Sequence, residues 1–93
     1  SLRGVDTVEL SSLVHGDVRF ISVLATSRQI DHHLNEVTLP RKSAFIGIYR
    51  GNEFILFGEN PVVKEGDKVA IITTADQVNK IRDFFSGNEV SKT

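Results

Sequence analysis

The chain has 93 residues, the size of one small domain. Its 11 Lys and Arg stand against 12 Asp and Glu, a formal charge of −1, so no net basic field draws it to nucleic acid. Cysteine is absent, which excludes disulfide and thiolate chemistry, and no apolar run approaches the roughly 18 residues of a membrane span.

Residues 1–17 open with Val5, Val8 and Leu13 at near-helical spacing, acidic Asp6 and Glu9 in the first turns, and Gly16 as a stop. A short helix is expected there, although the β-branched content argues against it. "VRFISVLA", Val18 to Ala25, is rich in β-branched and aromatic residues and predicts a strand. Thr26 and Ser27 are helix-start residues, and Ile30, Leu34 and Val37 are spaced by four and three. They predict a short amphipathic helix over about Arg28–Glu36, which Pro40 forbids from continuing.

Ala44 to Arg50 predicts the next strand, Gly51-Asn52 a two-residue hairpin, and Glu53 to Phe57 the return strand. Pro61 leads a short extended piece, Val62-Val63. Lys64-Glu65-Gly66-Asp67 then turns the chain into "KVAIIT", apolar enough to be a central strand. Thr74-x-x-Gln77 has the pattern of a capping box. It opens a helix whose buried stripe is Val78, Ile81 and Phe85 and whose stop is Gly87, leaving residues 88–93 as a polar tail. The sum is an α+β fold: a two-layer sandwich of a small, mostly antiparallel sheet with helices on one face.

The candidates for chemistry are few. His15, His32 and His33 invite a metal, but adjacent histidines on a helix point about 100° apart and cannot share an ion as an i, i+4 pair does. Ser27 and Ser43 lack the sharp strand–turn–helix elbow that presents a nucleophile, and Ser27 reads more simply as a cap. Asp67 reads as a carboxylate bonded to the amides of its own turn. Gly51 and Gly66 supply backbone freedom at strand reversals. No Gly-x-Gly-x-x-Gly or Walker spacing is present. Arg28, Arg41, Lys42 and Arg50 place positive charge at element ends, either a solvated surface or an anion pocket. Ile46, Ile48, Phe54, Leu56 and Phe57 exceed what one sheet face needs to hide; they read either as core plus ordinary exposed apolar surface or as a dimer interface. No catalytic residue and no metal ligand is assigned.

The run "EVTLP", "AFIGIYRGNEF", "VVKEGDKVAIIT" and the closing helix resemble, in order and spacing, the TrkA C-terminal domain, the C-lobe of cytoplasmic regulators of potassium conductance and uptake. The resemblance spans about Arg19 to Phe85. The opening "SLRGVDTVELSSLVHGD" is similar to the segment that follows the nucleotide-binding lobe in bacterial Trk-system subunits.

The resemblance implies a linking helix over 1–17 after a nucleotide-binding N-lobe, a regulatory domain over 18–87 and a flexible tail over 88–93. The start at Ser1-Leu2-Arg3 likewise suggests a piece of a longer protein. It further implies a non-catalytic, ligand-sensing and dimerising domain of a Trk-type potassium-uptake subunit, paired as a homodimer. The subunit would be cytoplasmic, peripheral to the inner face of the plasma membrane, and coupled to a transmembrane transporter subunit. No cofactor is expected on this segment; NAD or another nucleotide belongs to the N-lobe, and nucleic acid is not a partner.

Some relatives bind cyclic di-AMP through an Asp-x-Arg-Ala pattern. Here the matching stretch is Thr38-Leu39-Pro40-Arg41, with no Asp and the arginine displaced by about one position. A small-molecule pocket of that kind would be lined by Arg41, Ile46 and Pro61. Two rival expectations are a free-standing amino-acid or nucleotide sensor, and a small metal-dependent enzyme using His32 or His33 with Asp31.

Overall fold

The computed structural model describes residues 17–86. The linking helix expected before the first strand, the stop at Gly87 and the polar tail lie outside the described residues, as does His15. Four strands form one antiparallel sheet: β1 (Val18–Leu24), β2 (Ala44–Arg50), β3 (Glu53–Leu56) and β4 (Lys68–Thr74), in the spatial order β1-β4-β2-β3. A helix, α1 (Val78–Ser86), follows β4 after a 3-10 turn over Ala75–Gln77. The α+β class and the antiparallel sheet agree with the sequence. The apolar run predicted to be central is β4, paired on both sides.

The sheet has one covered face. Val69 and Ile71 of β4, Ile48 of β2, Ile81 of α1, and Leu34 and Val63 of the connecting loops expose nothing to solvent. They form one cluster with Ala25 and Phe85, and Ile21, Val23, Phe45 and Phe84 pack against it. Burying side chains of this size contributes about 1.5–3 kcal/mol each, an upper estimate because the unfolded chain is itself partly compact. That apolar cluster, more than any single polar contact, holds the domain together.

The turns show why particular residues sit where they do. At the β2–β3 hairpin only Gly51 takes positive φ (+63°) and Asn52 does not. This is the φ pattern of a type II′ turn, which asks for glycine at its first central position. Strand β3 is one residue shorter than expected, because Phe57 begins a 3-10 turn over Phe57–Glu59. Asn60 closes that turn at φ +50°, a region Asn tolerates.

Two expectations are corrected. The helix predicted over Arg28–Glu36 does not form; the segment is a single turn, a break, and a 3-10 turn over Leu34–Glu36. Gln29 is buried, and its side-chain oxygen accepts both the Thr26 N–H (2.8 Å) and the Thr26 hydroxyl (2.7 Å). Asp31 then adopts φ +74°, which no α-helix can carry. The amides instead bond across to the extended piece: Asp31 N to Val63 O, Val63 N to His32 O and Leu34 N to Pro61 O, all 2.8–2.9 Å. The helical spacing of Ile30, Leu34 and Val37 thus serves a loop laid over the core.

The capping box at Thr74 is not made either. The Thr74 hydroxyl donates to Asp76 Oδ1 at 2.6 Å, and no side-chain cap bond is formed at Thr74. That bond holds the Asp76 carboxyl below the usual carboxylate range.

Candidate functional site

Two features stand out: a charged knot at one end of the sheet and the bare face on the other side. In the knot, Arg50 ends β2 and Asp67 precedes β4. The guanidinium donates through Nε to Asp67 Oδ1 (2.9 Å) and through Nη2 to Asp67 Oδ2 (2.8 Å), a two-pronged ion pair. Nη2 also donates to Val62 O (2.8 Å), and the Lys64 N–H donates to Asp67 Oδ2 (2.7 Å). The Asp67 carbonyl accepts the Ala25 N–H at 2.9 Å. One residue, Asp67, therefore joins the ends of three strands and the extended piece, through its carboxylate and its carbonyl.

Asp67 is buried, its side chain 1% exposed against 37% for Arg50. Burial alone would raise the carboxyl, but hydrogen bonds from Arg50 and the Lys64 amide outweigh it and hold Asp67 below its ordinary range. The same pairing raises Arg50 above its ordinary value. The turn bond from Lys64 is what the sequence suggested for Asp67. Arg50 as its partner was not foreseen; the two are 17 positions apart and no local pattern links them.

Among the described residues no element packs over the face of the sheet turned away from α1, which is largely apolar. Pairing sets its side chains in rows across the strands: Leu24, Lys68, Tyr49 and Phe54; then Ser22, Ala70, Gly47 and Leu56; then Phe20, Ile72 and Ala44. Phe20, Leu24, Tyr49 and Leu56 are 41%, 59%, 48% and 55% exposed. The register slips between Phe45 and Gly47, leaving Ile46 as the extra residue of a β-bulge. The Phe54 ring lies over Gly47: a Cβ there would stand 2.7 Å from Phe54 Cζ and collide with Ile55 O. Tyr49 and Phe54 meet at 4.6 Å between ring centroids. Phe20, Ser22, Ile46, Tyr49, Phe54 and Ala70 surround a shallow depression of about 430 Å³.

The residues expected to line a ligand pocket are placed as follows. Ile46 borders that depression. Arg41 is exposed in the turn before β2, beside Lys42 at φ +60°. Pro61 is half-buried, and its carbonyl accepts the Leu34 amide. Arg41 and Pro61 line neither that depression nor the cleft among Val37, Leu39, Phe45 and Phe57. Ser43, His32 and His33 each have a partner within the chain. Ser43 bonds to Arg41 O (3.2 Å) and lies 2.9 Å from the Thr73 hydroxyl. His32 faces Glu36 at 3.4 Å, and His33 Nδ1 lies 3.1 Å from Asn60 O. Among the described residues no three His, Cys, Asp or Glu side chains are grouped to hold a metal, and no helix is long and apolar enough to cross a membrane.

No curated protein matches the chain. The TrkA-C domain matches residues 18–86, which takes in all four strands and α1 and accounts for most of the sequence. This chain therefore belongs to the TrkA-C domain family, regulatory domains of proteins related to potassium transport.

Proposed function

We propose that this chain is the non-catalytic regulatory module of a Trk-type potassium-uptake subunit. It works as a homodimer, takes a small ligand, and passes the change to a nucleotide-binding N-lobe and so to a transmembrane transporter subunit. The subunit lies in the cytoplasm against the inner face of the membrane. The family match over residues 18–86 is the observation that carries this reading. The site chemistry supports it: the charged groups of the core are spent on the Arg50–Asp67 knot, and the polar groups at Ser43, His32 and His33 are spent on local bonds. A ligand acts on such a module only through unequal affinity for two arrangements of the assembly.

The test is rubidium uptake by cells carrying the longer subunit, with residues 18–86 intact or deleted. Loss of regulated uptake is expected on deletion, and uptake unchanged in rate and regulation would overturn the reading. A melting-temperature screen of the 93-residue chain with nucleotides and amino acids addresses the ligand. A shift with a nucleotide, abolished in Arg41→Ala, is expected; a shift with amino acids alone would favour the free-standing sensor.

A further inference from the structure

The sheet ends in two edges of different kinds. β3 forms one: it has four residues, Phe57 bends the chain into a 3-10 turn, and the Leu56 N–H donates to the chain's own Glu59 Oε2 at 3.3 Å. β1 forms the other, with seven residues, no proline and no register shift against β4. Short length, proline, bulges and charged side chains are the devices that blunt an exposed edge. β3 is short, whereas β1 has only the charge of Arg19.

The backbone of β1 shows what that edge offers. Ala25 N donates to Asp67 O (2.9 Å) and Ala75 N to Asp17 O (2.7 Å), one pair beyond each end of the ladder. Between them the register runs unbroken, from Val18 opposite Thr74 to Leu24 opposite Lys68. Hydrogen-bonded pairs of an antiparallel ladder fall on alternate residues, so Arg19, Ile21 and Val23 bond to β4. Phe20, Ser22 and Leu24 then turn both their N–H and their C=O outward. Val18 does the same, and its carbonyl accepts the Arg19 guanidinium at 3.0 Å. Among the described residues no hydrogen bond meets the outward groups of Phe20, Ser22 or Leu24.

This row selects its occupant. Donor and acceptor recur every second residue, about 6.6 Å apart over roughly 20 Å, which is the repeat of an extended backbone. A helix spends its amides internally and cannot answer it. Side chains narrow the sequence. On the covered side Ile21 and Val23 are half-buried and pack on the core; on the other side Phe20 and Leu24 are exposed, with Ser22 between them. An added strand alternates between these two shoulders, so apolar and β-branched residues suit it. The charged residues of the β1–β4 ladder are Arg19 and Lys68, both basic and at opposite ends, which favours an acid toward each end of the entering strand.

We propose that the β1 edge binds an extended, acidic–apolar segment of a partner protein, which enters as a fifth strand antiparallel to β1. Backbone hydrogen bonds supply the affinity and alternate side chains the selectivity. Antiparallel entry continues the pattern of the sheet and gives the more stable ladder.

The test is amide hydrogen exchange in the 93-residue chain, read by NMR with and without the probe peptide acetyl-Glu-Val-Thr-Val-Val-Glu-Thr-amide. In the chain alone, the amides of Phe20, Ser22 and Leu24 are expected to exchange about tenfold or more faster than those of Ile21 and Val23. The peptide is expected to slow those three. Methylating the backbone nitrogens of its third and fifth residues, which face β1, should weaken binding by about tenfold or more, and methylating the second and fourth should not. Exchanging both Glu for Lys should weaken it as well. In the protein, Ser22→Pro removes an N–H outside the β1–β4 ladder; it should keep the circular dichroism of the fold and lose the peptide. The methylated peptides make the same test without altering the protein. Slow exchange at Phe20, Ser22 and Leu24 in the chain alone overturns the proposal: at every concentration it means that the chain covers its own edge, and growing with concentration it means that a second copy does. Equal binding of the two methylated peptides, or no protection by the unmethylated one, overturns it too.

Discussion

The two faces of this sheet are built from the same residue types and meet opposite fates. Ile48, Val69 and Ile71 expose nothing, while Phe20, Leu24, Tyr49 and Leu56 are 41–59% exposed, although all seven lie on paired strands of one sheet. Side chains alternate across a strand, so β4 sends Val69, Ile71 and Thr73 to the covered side and Lys68, Ala70 and Ile72 to the bare one. Hydropathy of a strand does not distinguish a wall that its own chain covers from one left exposed. What separates them is which side α1 and the 25–37 loop fall on.

The largest effect expected from breaking the comparison is on the covered side. Ile71→Ala, or Ile48→Ala, removes a fully buried branched side chain and should cost about 2–5 kcal/mol. Urea denaturation followed by far-ultraviolet circular dichroism measures it. A loss below 1 kcal/mol at both positions would mean that the cluster is not the core.

The knot comes next, because it ties the strand ends to the extended piece. Asp67→Asn leaves Arg50 without its carboxylate and keeps the shape, and should cost about 1.5–3 kcal/mol, the range for hydrogen bonds to charged groups. The pH dependence has a definite sign. Asp67 titrates lower in the folded protein than in the unfolded chain. Its contribution is therefore complete above the unfolded carboxylate value, about 3.9, and fades as pH falls through the lower folded value. Wild-type stability should drop on acidification below about pH 4 more steeply than that of Asp67→Asn. Parallel curves for the two proteins would remove the knot from the stability of the domain.

How much of this was legible in the sequence depends on how far apart the deciding residues lie. β2 is read off to the residue, Ala44 to Arg50, because β-branched content and a Gly-Asn turn are local signals. The false helix at 28–36 shows the reverse. The apolar spacing there is genuine, but Asp31 and Leu34 turn their amides to Val63 and Pro61, some 30 positions away, and no window over the segment contains those acceptors. The Arg50–Asp67 pair is hidden for the same reason. Among the site features, the bulge had a signal that went unused. Gly47 is an isolated glycine in a strand, which marks a bulge or a close approach, and it is both here: the register slips beside it and Phe54 lies over it. An uncovered face is the least legible of all, since its residues read as core.

The smallest expected effect is the most discriminating. At a concentration where the chain is monomeric, Leu24→Ser and Leu56→Ser should each change unfolding free energy by no more than about 0.5 kcal/mol, the usual range for exposed positions. Both side chains are more than half exposed, so in the single chain they have little to lose. If the chain pairs as proposed, stability acquires a mass-action contribution that grows with protein concentration. There a variant whose side chain the pairing covers should lose more than one whose side chain stays outside it. Melting temperature measured against concentration for the three proteins resolves the two regimes. Equal losses at every concentration would show that the bare face is covered within the chain itself.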